Sequence, residues 1–464
     1  MNINEYGKIV RKYHGNGKLR LTNGNELPCS ACIQQIETGL ILIKCRFDIN
    51  IEQALFDTPY QEDVEYIYGI TSDGLNFKTR GKLVVLSPSD NFNSTSSMVL
   101  TTMMFVAQEI ELCNENQHTV GQHYKFSVVN FEFKGNRLPK IVIQDGKQVK
   151  RYPLELNTPW GIAILNPIPD YDNVILKVRA QKSISVTCEL IAKPSEALEL
   201  NEVINKINEL CRLLSLARGT KVNWISAEEY TEDEQACRII VKNAVTWPFS
   251  HLALIDPNNP QDTNLFVEKV YPIYLKLRDS YNLNTAIELY LDAKRETAYL
   301  ETRALRAVSL LDFLIGRYAS QRNLDKIRSD FKKKEKRLRS YLKEDIQRLF
   351  QGIKKNELDE MLAKISELNR RSFLNLLKRL RCDLKLNIPE GELPKVKDTR
   401  NALVHKAEFQ STNNTDKTRE YFRVIRLIDQ LFLKLLGYDG YFIDINLDTL
   451  EFERRLFSCD GCID

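Results

Sequence analysis

Five histidines, at 14, 118, 123, 251 and 405, are the first residues to examine for proton transfer or metal binding. His405 has the most suggestive neighbours: Asp398, Thr399, Arg400, Asn401, Ala402, Leu403 and Val404 run directly into it. A proline-containing loop, PEGELPKVK at 389–397, feeds this stretch, and Asp398 or Thr399 is placed to cap a new helix. On such a helix Arg400 lies in the first turn, and Asn401 and His405, four residues apart, share one face. The Asn401 amide can then orient the imidazole, while Arg400 and the helix N-terminus favour a nearby anion. A permanently charged guanidinium that forks onto phosphate, beside a base titrating near neutrality, suits phosphodiester cleavage. The plainer reading of the same spacing is a salt-bridging arginine followed by a half-buried histidine.

The remaining chemistry-bearing residues give less. His118 and His123 flank a glycine and read as polar residues of a surface hairpin. No phosphate-binding glycine loop, nucleophile elbow or HExxH helix occurs. Ten cysteines include two CxxC pairs, Cys29/Cys32 and Cys459/Cys462, whose spacing suits each half of a zinc site. With 426 residues between the pairs, buried or exposed thiols are the preferred reading, and neither a metal nor a cofactor is assigned.

The elements that must position these residues change character along the chain. Residues 1 to about 190 carry nine or more strand-sized apolar runs, among them 19–24, 38–49, 64–77, 98–107, 124–133, 140–152, 174–180 and 184–192. Turn signals such as Asn23-Gly24 and Asp73-Gly74 separate them, so the expectation is an antiparallel sandwich or barrel. Leu200, Val203, Ile207, Leu210 and Leu214 then repeat at helical spacing until Gly219 stops the run. Strand-like pieces return over 220–255, and the turn-rich stretch 256–262 marks the boundary. Beyond it, helices are expected over 264–283, 284–319, 324–353, 357–384, 398–407 and 416–436. The fold class is therefore α+β: a β-rich, sandwich-like domain over 1–258 and an all-α bundle over 264–464.

Composition narrows the function classes. Apolar residues make up 43% and charged residues 28% of 464 positions, as in soluble globular proteins. No apolar run approaches the ~18–20 residues of a membrane span, and the first residues lack the apolar core of a secretory signal. A cytoplasmic protein without membrane partners is expected. The net charge of +4 conceals a basic block at 322–382, with 19 Lys+Arg against 9 Asp+Glu. Within it, KKKEKRLRSYLKEDIQRLFQGIKK at 332–355 reads either as a solvated amphipathic helix or as a surface for an RNA backbone.

The run Arg400-Asn401-Ala402-Leu403-Val404-His405, entering the last helices of a bundle, resembles the R-(polar)-x3-H motif of the HEPN superfamily. The following polar loop and the long helix ending LFLKLLGYDGYF are similar to the Apea-like branch, in which a strand-rich domain precedes the HEPN domain. The resemblance spans residues 265–445 and, over the N-terminal half, rests on architecture. It implies a metal-independent endoribonuclease, in which Arg400 and His405 are catalytic and Asn401 positions the histidine. It further implies an RNA substrate, a homodimer through the helical domain and a role in antiphage defence or as a toxin. A phage component, a nucleotide and nothing at all stay open as the trigger at the N-terminal domain. Two positions depart from the pattern. Asp312 stands where many relatives carry glutamate, and Ala407 stands where one branch carries a regulatory tyrosine. The alternative is a non-catalytic HEPN module for RNA binding or assembly.

Overall fold

The computed structural model describes residues 8–50, 64–89, 98–114, 123–136, 139–144, 147–181, 183–232, 235–243 and 252–457. The chain divides into two compact units at Tyr271/Pro272. No helix among the described residues is long and apolar enough to cross a membrane.

The first unit is built on antiparallel strands. β1 (Ile9–Leu21), β2 (Glu26–Ile36), β3 (Ile41–Asn50), β4 (Val64–Thr71), β5 (Asn76–Ser89) and β6 (Met98–Cys113) pair in the order β1-β2-β3-β6-β5-β4, and β4 returns to β1. The ring is closed, so of the expected sandwich or barrel this part takes the barrel form, with six strands, and not the sandwich-like one. Inward residues Leu19, Ile33, Ile43, Ile67, Phe105 and Leu112 fill it. Closure brings β1 and β4 together at Gly17 and Gly69, where an added Cβ would lie 2.2–2.4 Å from the opposite backbone. Only glycine permits that approach.

β6 is long enough to serve two sheets. Past Ala107 it leaves β3 and pairs through Glu109–Cys113 with a later strand. The sheet continues through β14 (Ala236–Lys242), β13 (Asn223–Tyr230), β7 (His123–Val129), β12 (Val186–Pro194), β11 (Gly161–Pro167) and β10 (Leu154–Thr158). β8 (Lys140–Gln144) and β9 (Lys147–Arg151) form a separate hairpin.

Two helices accompany this second sheet. α2 (Leu200–Arg218) buries the stripe expected from the sequence and ends at Gly219 in the left-handed region, φ 63°. Its last residue, Arg218, is buried and donates to the Glu132 carbonyl at 2.8 Å, the Ile255 carbonyl at 2.6 Å and Thr263 Oγ1 at 2.8 Å. The stretch 174–180, expected as a strand, is instead part of α1 (Tyr171–Gln181). Ile175 and Val178, three apart, are its buried residues, while Leu176 is exposed. Helical spacing therefore overrides the β-branched composition there.

α3 (Pro260–Leu277) contains the division between units, at the point where Pro272 lacks the N–H of an intrahelical bond. In the second unit, the span expected as one helix over 284–319 is broken into α4 (Leu283–Ala293) and α5 (Leu300–Gln321). α5 is the central helix. It packs on α4, α8 (Phe373–Asp383), α9 (Glu392–Lys406) and α10 (Asn414–Leu435). At the centre Lys294 Nζ lies 3.1 Å from Asp429 Oδ1, which also accepts from the Tyr290 hydroxyl at 2.6 Å. Burial pulls the Lys294 ammonium below the usual lysine range and pushes the Asp429 carboxyl above the usual carboxylate range. After α10 the chain forms a hairpin that the sequence reading lacked, β15 (Gly440–Ile445) with β16 (Phe452–Phe457). Asp444 fastens it to α10 by accepting from Arg426 Nε and Nη2, both at 2.9 Å.

Between α5 and α8 the chain makes an excursion through α6 (Phe331–Leu349), α7 (Lys355–Ala363) and a 3-10 turn (Lys364–Asn369). Its two ends are joined at a neck. Lys326 and Arg370 form a β-bridge, Ile327 N–H donates to the Asn369 carbonyl, and Arg328 N–H donates to Asn369 Oδ1 at 2.7 Å.

Candidate functional site

α9 begins at Glu392, six residues before the expected cap at Asp398 or Thr399. Pro394 falls within its first turn, where a missing N–H costs nothing, so the proline starts the helix rather than delaying it. Thr399 is consequently interior and buried, and its hydroxyl lies 3.4 Å from Glu420 Oε2. Arg400 therefore sits in mid-helix and not in the first turn.

Arg400 lies beside α5. Its Nη2 donates to Asp312 Oδ2 at 2.9 Å, and its Nε lies 3.2–3.3 Å from both carboxylate oxygens. Nη1 donates to Asn401 Oδ1 at 3.1 Å, and the guanidinium carbon is 5.3 Å from the centre of the Phe373 ring on α8. Asp312, Asn401 and Phe373 thus fix the guanidinium from three elements or turns.

Asn401 and His405 line a groove of about 850 Å³. Asp398, Lys406, Gln410, Ser411 and Thr412 contribute to its polar wall. Glu301 and Lys417 complete it as an ion pair at 3.2 Å, joining the first turns of α5 and α10. The Glu301 backbone N–H and the Lys417 ammonium hold the Glu301 carboxyl below the usual range. The loop after α9 is drawn under the groove by Glu420, which accepts from Ser411 N–H at 2.9 Å and Gln410 N–H at 3.3 Å. Ala407 ends α9 in the left-handed region, φ 56°, and turns the chain into that loop.

The expected face sharing of Asn401 and His405 is present. The orienting bond is not: the Asn401 oxygen is taken by Arg400, and the exposed imidazole makes no hydrogen bond among the described residues. Arg400 does not line the groove. One chain therefore offers a free imidazole on one face of α9 and a seated guanidinium on another, about 140° round the axis. Such a helix can exchange protons at the groove and present fixed positive charge beside it.

The sequence reading did not select Asp312 or Phe373 as partners of Arg400, nor Glu301 and Lys417 as groove walls. Asp312 carried a usable signal, since it lies off the apolar stripe of Ala304, Val308, Leu311 and Ile315 that α5 buries. The others, 27 to 116 residues from their partners in sequence, carried none.

Cys29 and Cys32 are three apart on β2, so their side chains point to opposite faces of the strand, with Cys29 buried. Cys459 and Cys462, with His118 and His251, lie outside the described residues. No group of three or more His, Cys, Asp or Glu side chains able to hold a metal occurs among the described residues. Compared with protein-family models, curated proteins and solved structures, the chain matches none.

Proposed function

We propose that the chain is a HEPN-type endoribonuclease that cuts RNA without a metal, with the α9 motif as its centre. The observation that carries this reading is the placement of His405 and Asn401 on a polar groove, with Arg400 seated on the adjoining face. His405 takes the proton from a ribose 2′-OH or returns one to the leaving 5′-oxygen. The O2′–P bond forms and the P–O5′ bond breaks, leaving a 2′,3′-cyclic phosphate and a 5′-hydroxyl. Arg400 stabilises the extra negative charge of the phosphorane, and the need for a 2′-OH restricts the substrate to RNA. Because the two side chains diverge on α9, the working site is built by two copies whose helices meet across a two-fold axis and contribute residues to one shared cleft. The β-rich unit serves recognition of a trigger, in a cytoplasmic defence or toxin role.

A second reading has its own support: the Asp312 and Phe373 contacts that seat Arg400 would equally suit a motif that only packs in an RNA-binding or assembly module. Cleavage of total cellular RNA by wild type and His405→Ala, each with excess chelator and with ends mapped, separates the two. Wild type should leave 2′,3′-cyclic phosphate ends, and His405→Ala should lose about a hundredfold to ten-thousandfold in rate. Mixed dimers of the two chains should fall well below half activity. Cleavage that requires an added divalent ion, or that persists in His405→Ala, would rule the proposed mechanism out.

A further inference from the structure

The excursion between α5 and α8 has an unusual composition for a folded element. None of the α6 residues is buried. Its apolar residues Leu338, Leu342 and Ile346 are half-covered by α7 and the 3-10 turn, where Leu358 and Ile365 are buried. The rest of the α6 surface is cationic, with eight Lys+Arg against three Asp+Glu over Phe331–Leu349.

These cations are arranged in lines. Lys332, Lys336, Arg339 and Lys343 recur at i, i+4, i+7 and i+11, one straight stripe rising about 17 Å along the helix. Lys332, Lys336 and Lys343 make no ion pair among the described residues, and Arg339 pairs with Glu335 at 2.7 Å. Phe350, at the C-cap about five turns beyond Lys332, ends the stripe. Tyr341 stands among a second set, with Arg337 donating to its hydroxyl at 3.0–3.1 Å and Arg348 two turns on. Tyr341 is 57% exposed, Phe350 52% and neighbouring Leu349 76%.

We infer that this excursion is a docking arm for single-stranded RNA, an inference that rests on the ribonuclease reading for its choice of nucleic acid. Unpaired lysines in register take successive phosphates and Phe350, at the end of their stripe, takes a base on its face, while Tyr341, about 180° round the axis from Lys332, takes a base where the strand crosses to the Arg337 and Arg348 side. A duplex keeps its base faces inside the stack and offers the rings nothing. A lipid surface would call for a continuous free apolar face, whereas the α6 stripe is already half-covered.

The test uses full-length protein and two measurements. Binding is followed by fluorescence anisotropy with a labelled oligouridylate, in the His405→Ala background so that the probe stays whole. Cleavage is followed separately with His405 intact. Tyr341→Ala and Phe350→Ala should each weaken oligouridylate binding about tenfold, and Tyr341→Phe and Phe350→Trp should restore it. Replacing Lys332, Lys336 and Lys343 by Ala should flatten the salt dependence by about 0.7 log unit per lost phosphate contact. All these side chains are exposed, and circular dichroism checks the fold. Ring variants that bind as wild type does would overturn the inference, as would tighter binding to duplex RNA. So would binding of phosphatidylserine vesicles in place of oligouridylate. If such variants still cut RNA normally, the ribonuclease reading stands without the arm. If the rings bind oligouridylate and no RNA is cut, the arm stands and the nuclease falls.

Discussion

Two cation–carboxylate pairs in the helical unit have the same chemistry and opposite surroundings. Lys294 and Asp429 lie 3.1 Å apart with side chains 2% and 11% exposed. Arg400 and Asp312 lie 2.9 Å apart with side chains 25% and 34% exposed. In the first pair, water is excluded and each charge depends on the other, with Tyr290 sharing the carboxylate. In the second, solvent competes with both partners, so the pair is weak and holds the guanidinium in place without burying its charge. Distance alone would rank the pairs equally. Burial separates a fixture of the fold from a group available for chemistry.

The largest expected effect tests the buried pair. Lys294→Met or Asp429→Leu alone should cost about 3–5 kcal/mol in urea unfolding, because each leaves a charge buried without its partner. The double variant should recover most of that loss. A single change costing under about 1 kcal/mol would break the contrast. Next, Asp312→Asn should leave stability within about 1 kcal/mol. It should lower RNA cleavage about ten- to a hundredfold, since a guanidinium without its seat samples wrong positions. Cleavage equal to wild type would mean that Asp312 does not position Arg400. The smallest effect concerns salt. Double-mutant cycles should give the Arg400–Asp312 pair a coupling below about 1 kcal/mol that shrinks between 0.05 and 0.5 M salt. The Lys294–Asp429 coupling should stay constant over that range.

How far the sequence could be read follows the range of the forces involved. A helix with a wide apolar stripe and a glycine stop was legible, as α2 with Gly219 shows. Those signals are local. The barrel was not separable from a sandwich, because its closure depends on β5 meeting β6 and β4 meeting β1, pairings that alternation along one strand does not specify. The start of α9 was misplaced for another reason. Pro394 reads as a loop residue by composition but fits a first helical turn. At the candidate site, Asn401 and His405 were legible as a shared face because four residues fix that geometry. The seat of Arg400 was not, since Asp312 and Phe373 reach it through tertiary packing.

The neck at Asn369 has a consequence for how this molecule can change over time. Chain ends that meet in a β-bridge and a side-chain clamp leave the bundle closed whatever lies between them. A change of length within α6 and α7 should therefore leave the groove as it is.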